Sequence, residues 1–373
     1  MTKGLEKARS LGTPTATLQR EQHRLEGVVR ARALRARGGM GSGRTTVNVP
    51  GLLDELGSAQ LIQIVEVDGV VHVLVCGAGK VRQFTAGHTR EITRDARFAR
   101  FALRRLARSR PTDDADSALA ILKATGMRLE ETLLGPAAQQ LGNGPVVIVP
   151  PGRLHTLPWA LFPTLHDRAV SVAPSATAWM RAHQAVPPRR HHVTLARGPG
   201  LVTNGAEVPA VARLYDDVTV LADDNATAER VLGAIDGAWL AHIAAHGTFR
   251  SDSPLFSSLR MHDGPLTVYD FEQLRRAPHR LILSSCDSGV VAAAGADELL
   301  GLVSSLLPLG TAGIIAGVVP LNDDAIVPVM LDIHRYLRAG QTLAEALCSV
   351  RRGPVVDPIQ QATMLALVAL GAG

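Results

Sequence analysis

The sequence predicts an α/β fold in which helices flank an open, mostly parallel β-sheet. Two apolar runs, AWLAHIAAHGTF (238–249) and RLILSSCDSG (280–289), are typical of buried strands, and each ends in a reactive residue close to a Gly. A third apolar run, VVIV (146–149), ends at Pro-Pro-Gly. Segments that alternate between strand-like and helix-like character lie between the third run and the first, and helix-like segments follow the Cys286 run. This alternation is typical of parallel strands covered by helices.

The length of the chain and its composition predict about two domains after a basic arm. The 373 residues are 46% hydrophobic and only 3% aromatic, so Leu, Val, Ile and Ala must fill the cores. We expect a basic helical arm with a Gly-rich linker over residues 1–50. A first half with a hairpin and helices then covers 51–190, and a second half covers 191–373.

The N-terminal arm carries most of the positive charge. Residues 1–50 contain ten Lys or Arg and three Glu, a balance of +7, so the rest of the chain holds about −2 of the total +5. A solvated helix with a linker explains this composition, and a docking arm for an acidic partner or nucleic acid is the alternative. The run GGMGSGRT (38–45) has Arg44 where a P-loop needs Lys and no strand before it, which argues against nucleotide binding.

Local patterns place several further elements. An Asp-Gly pair predicts a hairpin of Leu61–Val67 with Val70–Cys76. Residues 91–142 have helical composition and spacing. Leu299–Leu321 carries no charge and passes the length test for a membrane span, but Pro and Gly interrupt it. We therefore expect a buried helix and a central parallel strand there, no membrane insertion, and no secretory signal.

The three cysteines are too far apart to form a metal site or a disulfide framework. They lie at 76, 286 and 348 without any CxxC pair, which favours a reducing, cytoplasmic location and no metal or other cofactor. Cys76 and Cys348 fit the pattern of small buried hydrophobes. Cys286 differs, because SSCDSG ends the apolar run and would present the thiol at a turn.

His246 is the partner that the chemistry of Cys286 requires. A thiolate nucleophile needs a nearby acid that protonates the departing amine, and His suits this at neutral pH. Gly247 follows at once, and its backbone N–H could approach a substrate oxyanion together with the N–H of Cys286. His242 shares a strand face with His246. It either lines the same cleft or is a hydrogen-bonded core histidine.

Acidic and small polar residues complete the set of candidate substrate contacts. Asp323 and Asp324 follow the apolar strand after Cys286, at the same sheet edge. They either cap the following helix or bind a basic substrate side chain. Ser285 and Asp287 flank the nucleophile. With His242, these residues are our candidates for substrate binding.

From about Leu52 onward, the chain resembles the CHAT domain, a bacterial caspase-like and separase-like cysteine protease module. The resemblance rests on blocks that follow one another in the family's order. Among them are VVIVPPGRLHTLPWALF, SVAPSATAWM, LADDNATAERV, AHIAAHGTF, PLFSSLRM, LILSSCDSG, DELLGLVSSLLPLGTAGIIAGVVPLND and GQTLAEAL.

The resemblance implies a caspase-like fold of two tandem halves, the first degenerate and the second active. It implies that His246 and Cys286 are the catalytic dyad, with the amides of Gly247 and Cys286 as oxyanion donors. His155 would be the first half's counterpart, without a matching Cys. Asp323 matches the position of an acidic residue that accepts a basic P1 side chain, although Val318 or Val319 replaces the usual Trp nearby.

The resemblance also implies a protein substrate, such as a gasdermin-like protein in bacterial antiviral defence. Residues 1–50 are too short for the helical repeat array that senses a signal in many relatives, so a separate sensor or activator protein is expected. The rival hypotheses are an inert caspase-like scaffold that binds a partner protein, and a thiol-dependent transferase or amidase. The intact His and Cys blocks argue against a scaffold.

Overall fold

The computed structural model describes residues 48–108, 114–248, 257–286, 306–354 and 357–373. Residues 49–373 belong to one compact unit. Most of the predicted basic arm, with the Gly-rich run 38–45, lies outside the described residues.

The described residues form thirteen strands and eleven α-helices. The strands are β1 (Gln60–Val67), β2 (Val70–Gly77), β3 (Lys80–His88), β4 (Val146–Val149), β5 (Val170–Val172), β6 (Val193–Arg197), β7 (Val218–Leu221), β8 (Leu240–Thr248), β9 (Ser258–Met261), β10 (Gly264–Thr267), β11 (Arg280–Cys286), β12 (Gly313–Gly317) and β13 (Leu367–Gly371). The helices are α1 (Val49–Leu56), α2 (Thr89–Arg108), α3 (Asp114–Leu133), α4 (Pro163–His166), α5 (Ala176–His183), α6 (Glu207–Ala212), α7 (Ala228–Ile235), α8 (Val268–Phe271), α9 (Ile326–Arg338), α10 (Leu343–Arg352) and α11 (Pro358–Leu365). Short 3-10 turns cover Gly135–Gln140, Gly152–Leu154, Trp159–Leu161, Asp223–Asn225 and Leu307–Leu309.

The predicted α/β architecture with a large, mostly parallel sheet is confirmed. The strands follow the order β8–β11–β12–β13–β5–β4–β1–β2–β3, with β6 and β7 on the other side of β8. The short β9–β10 ribbon pairs with the last two residues of β8. Seven of the pairings among described strands are parallel and five are antiparallel.

The β1–β2 hairpin has the predicted register, from Leu61 opposite Cys76 to Val67 opposite Val70. Its two turn residues, Asp68 and Gly69, both have positive φ, which a tight turn between right-twisted strands requires. The predicted helical region over 91–142 contains α2 and α3.

The uncharged stretch 299–321 contains a strand and not a membrane span. Gly313–Gly317 forms β12 in the middle of the sheet, and residues 313–316 are buried. β12 is parallel to β11 and antiparallel to β13, so the prediction of a central parallel strand holds on one side only. Within the described residues, no helix is long and apolar enough to cross a membrane. The predicted helix before β12 lies largely outside them.

One sheet and one main apolar cluster connect the first half of the chain with the second. β13, from the C-terminal end, is inserted beside β5 and pairs with it in parallel. The main buried cluster includes Ile148 of β4 as well as Ile282 of β11 and Ile315 of β12. The strands that carry the candidate site are therefore held by burial on both sides.

Candidate active site

The register of β8 and β11 places the two candidate catalytic residues side by side. The strands are parallel, and Cys286 of β11 lies opposite His246 of β8. Neighbouring strands are about 4.8 Å apart. Both residues stand at the carboxyl ends of their strands, where an α/β sheet presents its ligand-binding crevice.

A backbone carbonyl holds the His246 ring in one tautomer. His246 is 7% exposed, and its Nε2 lies 2.8 Å from the carbonyl oxygen of Gly200. A carbonyl oxygen only accepts hydrogen bonds, so Nε2 must carry the proton. In the neutral ring, Nδ1 is then the basic nitrogen. Gly200 itself has a φ of +82°, a left-handed conformation that favours Gly.

The loop after β6 brings this carbonyl to the histidine. Close packing fixes the loop at its start, because a Cβ on Gly198 would lie only 2.4 Å from the carbonyl oxygen of Arg260. At the end of β6, Arg197 pairs with Asp223 at 2.8 Å and donates to the carbonyl of Asn204. These contacts anchor the loop on both sides of Gly200.

The structure describes the backbone of Ser285 and Cys286, which are the last two residues of β11. Asp287 lies outside the described residues. Gly247 is buried in β8 and pairs with Leu259 of the β9–β10 ribbon. The residues of the two predicted oxyanion donors therefore lie at the carboxyl ends of β8 and β11, beside His246.

His242 is the middle residue of a buried hydrogen-bond chain. It is 0% exposed, so it does not line the cleft, and its Nδ1 lies 3.0 Å from Nε2 of His334 in α9. Its Nε2 lies 2.9 Å from the hydroxyl of Ser284. The interpretation of His242 as a hydrogen-bonded core histidine agrees with this position, and a direct contact with substrate does not.

The chain continues in both directions from His242. The Tyr215 hydroxyl lies 2.9 Å from Nδ1 of His334, and the Ser284 hydroxyl donates to the buried carboxylate of Glu207 at 3.1 Å. All members can be satisfied if each donates toward Glu207, which requires neutral histidines. We name the five residues from Tyr215 through His334, His242 and Ser284 to Glu207 the buried chain.

Burial keeps the histidines of the buried chain neutral. It lowers the pKa of His242 to about 3, and it lowers that of His334 well below its ordinary value. Burial also raises the pKa of Glu207, while the Ser284 hydroxyl acts in the opposite direction by favouring the carboxylate. Ser284, the fourth member of the buried chain, is two residues before Cys286, so the chain runs beside the strand that ends at the candidate nucleophile.

Asp323 and Asp324 differ in their contacts, and no side chain caps the first turn of α9. The Asn322 side-chain oxygen accepts from the N–H groups of Asp324 and Ala325 at the start of α9. Asp323 accepts from the N–H of Val202 at 2.9 Å. The capping interpretation of the two aspartates is therefore wrong for this turn. Val202, the partner of Asp323, is two residues after Gly200, whose carbonyl contacts His246.

A match to a family model shows which family the chain belongs to. The family model described as "CHAT domain" matches residues 123–361, which is more than half of the chain and includes both His246 and Cys286. The chain belongs to the CHAT domain family. No curated protein sequence matches it.

The CHAT domain shares its fold with separase. Two crystal structures of the Saccharomyces cerevisiae separase–securin complex match with TM-scores of 0.61 and 0.62 at 10% identity, over 86% and 87% of this chain. The chain spans only 30% and 31% of those chains. The Arg-specific cysteine proteinase gingipain R aligns with a TM-score of 0.43 at 12% identity, over 85% of this chain and 77% of that one. At these identities the likeness to separase concerns the fold.

The other two cysteines of the CHAT domain are buried free thiols. Burial raises the pKa of both Cys76 and Cys348, so neither is activated as a thiolate. This confirms that they act as small buried hydrophobes. Among the described residues, no group of three or more His, Cys, Asp or Glu could hold a metal ion.

Most of the residues of the buried chain could not be identified from the sequence. Glu207, Tyr215 and His334 come from distant parts of the chain, and no local pattern marks them as partners. Ser284 carries a weak signal, since it is a hydroxyl within an apolar strand. Gly200 carries another, as the second Gly of a Gly-Pro-Gly turn after a strand.

Proposed function

We propose that this CHAT domain is a cysteine endopeptidase with a His246–Cys286 dyad. The observation that carries the proposal is the register of β8 and β11, which sets these two residues opposite each other at the carboxyl edge of the sheet. The Gly200 carbonyl supports it, because it orients the ring and holds its proton on Nε2. Orientation of the base by a third group is a usual feature of nucleophilic sites.

The chemistry follows from these positions. The Cys286 thiolate attacks the peptide carbonyl, and His246, protonated on both nitrogens, gives its Nδ1 proton to the leaving amine. The ring then accepts a proton from water, which hydrolyses the thioester and releases the acyl product. The Gly200 carbonyl accepts from Nε2 in both protonation states, so it orients the ring throughout. The amides of Gly247 and Cys286 are proposed to bind the oxyanion.

A basic P1 side chain is the proposed specificity. Asp323 is half-buried next to the Gly200 loop, and Asp324 is exposed one residue later. A carboxylate at this place would attract Arg or Lys beside the scissile bond. Ser285 and Asp287, which flank the nucleophile, are proposed to contact the substrate as well.

The biological setting is carried over from the family resemblance. We propose a protein substrate, such as a gasdermin-like protein of a bacterial defence system, and a separate sensor or activator protein. The first half, with His155 but no matching Cys, is proposed to be the degenerate member of a tandem pair. The scarcity of cysteines supports a cytoplasmic location.

The test is peptide cleavage by the wild type and by matched variants. A peptide library varied at P1 is incubated with wild type, Cys286→Ala and His246→Ala. Cys348→Ala and His88→Ala are controls, because they remove a buried thiol and an exposed ring away from the strand end. We expect cleavage by wild type and both controls only. Equal cleavage by all five proteins would show that the dyad assignment is wrong. Partner binding without cleavage would favour the scaffold.

A further inference from the structure

A cavity opens at the amino ends of β8 and β11, on the opposite side of the sheet from the candidate dyad. It has a volume of about 500 Å³, and its walls include Trp239, Arg280 and Arg338. Trp239 directly precedes β8, Arg280 is the first residue of β11, and Arg338 ends α9. The two strands that carry the dyad at their carboxyl ends therefore begin at this cavity. A strand of this length places the two ends about 20 Å apart.

Two cationic groups of the cavity form no close ion pair within the described residues, and only the more distant carboxylate of Glu345 acts on Arg280. Neither Arg280 nor Arg338 has a carboxylate within 4.0 Å there, and the buried Nε of Arg280 has no hydrogen-bond partner among them. The wall carboxylate of Asp217 is already committed, because Arg190 holds it at 2.6 Å and His192 at 2.8 Å. These bonds lower the pKa of Asp217 to about 2.

Aromatic rings hold both guanidinium groups in place. Arg280 lies over the Trp239 ring at 5.3 Å, and Arg338 lies over the Tyr215 ring at 5.8 Å. A guanidinium that lies over an aromatic ring keeps its in-plane N–H donors available for an anion. Burial of Arg280 lowers its pKa, which is the cost that a bound anion would offset.

We propose that this cavity is a regulatory site for a small molecule that carries a phosphate or carboxylate group, bound by Arg280 and Arg338. The volume is within the range of about 300–1,000 Å³ that is common for small-molecule pockets. Phosphate and carboxylate each present a pair of oxygens that the planar guanidinium can bind through two parallel N–H···O bonds. Asp216 and Asp217 on the same wall would repel a ligand that is negatively charged on every side, so a ligand with one anionic end is favoured.

The buried chain connects this cavity with the dyad. Tyr215 lines the cavity and is the first member of the chain, and Ser284, two residues before Cys286, is the fourth. A ligand held by Arg280 and Arg338 orders the start of β11 and, through the Tyr215 ring beside Arg338, the buried chain. This part of the inference rests on the proposed peptidase function. We expect occupancy to raise kcat/KM about fivefold or more.

Binding is tested without any use of catalysis. Isothermal titration with pyrophosphate and with citrate distinguishes the phosphate source from the carboxylate source. We expect saturable binding of one of the probes at one site per chain, weakened about tenfold or more by Arg338→Gln. Arg335→Gln is the matched control, since it removes the same charge from the same helix, where Arg335 pairs with Asp332 at 2.7 Å.

Two binding results would overturn the site. One is the absence of saturable binding for both probes, and the other is an equal loss in Arg335→Gln and Arg338→Gln. Arg338 is exposed, so its replacement leaves the fold intact. Arg280→Gln is a second variant, and its melting curve shows whether the partly buried position has been disturbed.

Coupling is tested with Tyr215→Phe, which keeps the ring under Arg338 and removes the hydroxyl. We expect this variant to bind the probe as wild type does and to lose the increase in kcat/KM. Binding without any change in wild-type kcat/KM would overturn the coupling while the site stands. If the wild type cleaves no peptide, the proposed function fails, and the titration still decides the site.

Discussion

Two histidines four residues apart on one strand have different neighbours. His242 faces another histidine and a serine in the core, whereas His246 faces a backbone carbonyl at the strand end. The residue pattern alone places both on the same strand face. Only the contacts separate a structural ring from a ring at the cleft.

The Gly200 carbonyl is the contact that a single substitution tests best. Gly200→Ala forces a side chain into a left-handed backbone and should shift the carbonyl away from His246. We expect kcat for peptide cleavage to fall about tenfold or more, since the ring loses its orientation. Gly79→Ala imposes a similar strain at a hairpin turn, where φ is +68° and the space is open. Equal activity in both variants would contradict the assigned role.

Ser284 should stabilise the folded protein through its hydrogen bonds in the buried chain. Ser284→Ala leaves the buried Nε2–H of His242 without its acceptor, which costs about 1–3 kcal/mol. Ser349→Ala is the control, because the partner of Ser349, Gln341, is half-exposed and can bond to water. Denaturant unfolding of both variants measures the difference. The buried chain would lose its importance if the two free energies of unfolding changed alike.

At the scale of elements, the turn between β12 and α9 assigns separate tasks to three consecutive residues. Asn322 accepts from two backbone N–H groups of the turn, Asp323 accepts from the loop that carries Gly200, and Asp324 is exposed. The sequence identified the two aspartates as candidates. It did not identify Asn322, whose side chain bonds to the backbone of the turn before α9.

The proposed P1 preference follows from this division of tasks. Asp323→Asn keeps an oxygen for the Val202 N–H and removes the charge, so the loop should stay in place. We expect kcat/KM for Arg or Lys at P1 to fall about ten- to hundredfold relative to a neutral P1. Asp324→Asn serves as the neighbouring control. A larger effect in Asp324→Asn would move the specificity role to that residue.

Local elements were predictable, and their arrangement was not. The β1–β2 hairpin follows from its Asp-Gly turn, and β4, β8 and β11 follow from short buried apolar runs between turn residues. The insertion of β13 beside β5, more than 190 residues earlier in the chain, has no local signal. The same is true of the bond between Tyr215 and His334, which are 119 residues apart. Such pairings depend on the whole packed sheet.

For the whole molecule, three buried histidines make stability depend on pH. Burial lowers the pKa of His242 to about 3 and that of His279 to about 4, and it lowers that of His334 as well. The unfolded chain binds protons at these rings below an ordinary pKa of about 6.5, whereas the folded chain does not until far lower pH. The free energy of unfolding must therefore fall as pH drops below about 6.5.

This loss is measurable by unfolding at pH 7, 6 and 5. Each buried histidine can contribute up to about 1.4 kcal/mol per pH unit below its unfolded pKa. His279→Gln should reduce the slope, while His88→Gln, which replaces an exposed ring, should leave it unchanged. A stability that is constant from pH 7 to pH 5 would contradict the neutral state of the buried chain.

The central claim, that His246 activates Cys286 at the carboxyl edge of the sheet, is tested most directly by covalent labelling. A peptidyl chloromethyl ketone with Arg at P1 is added to the protein, and intact mass spectrometry with peptide mapping locates the adduct. We predict one adduct per chain, on Cys286, and no adduct in His246→Ala under the same conditions. An adduct on Cys76 or Cys348, or equal labelling of Cys286 in His246→Ala, would contradict the claim.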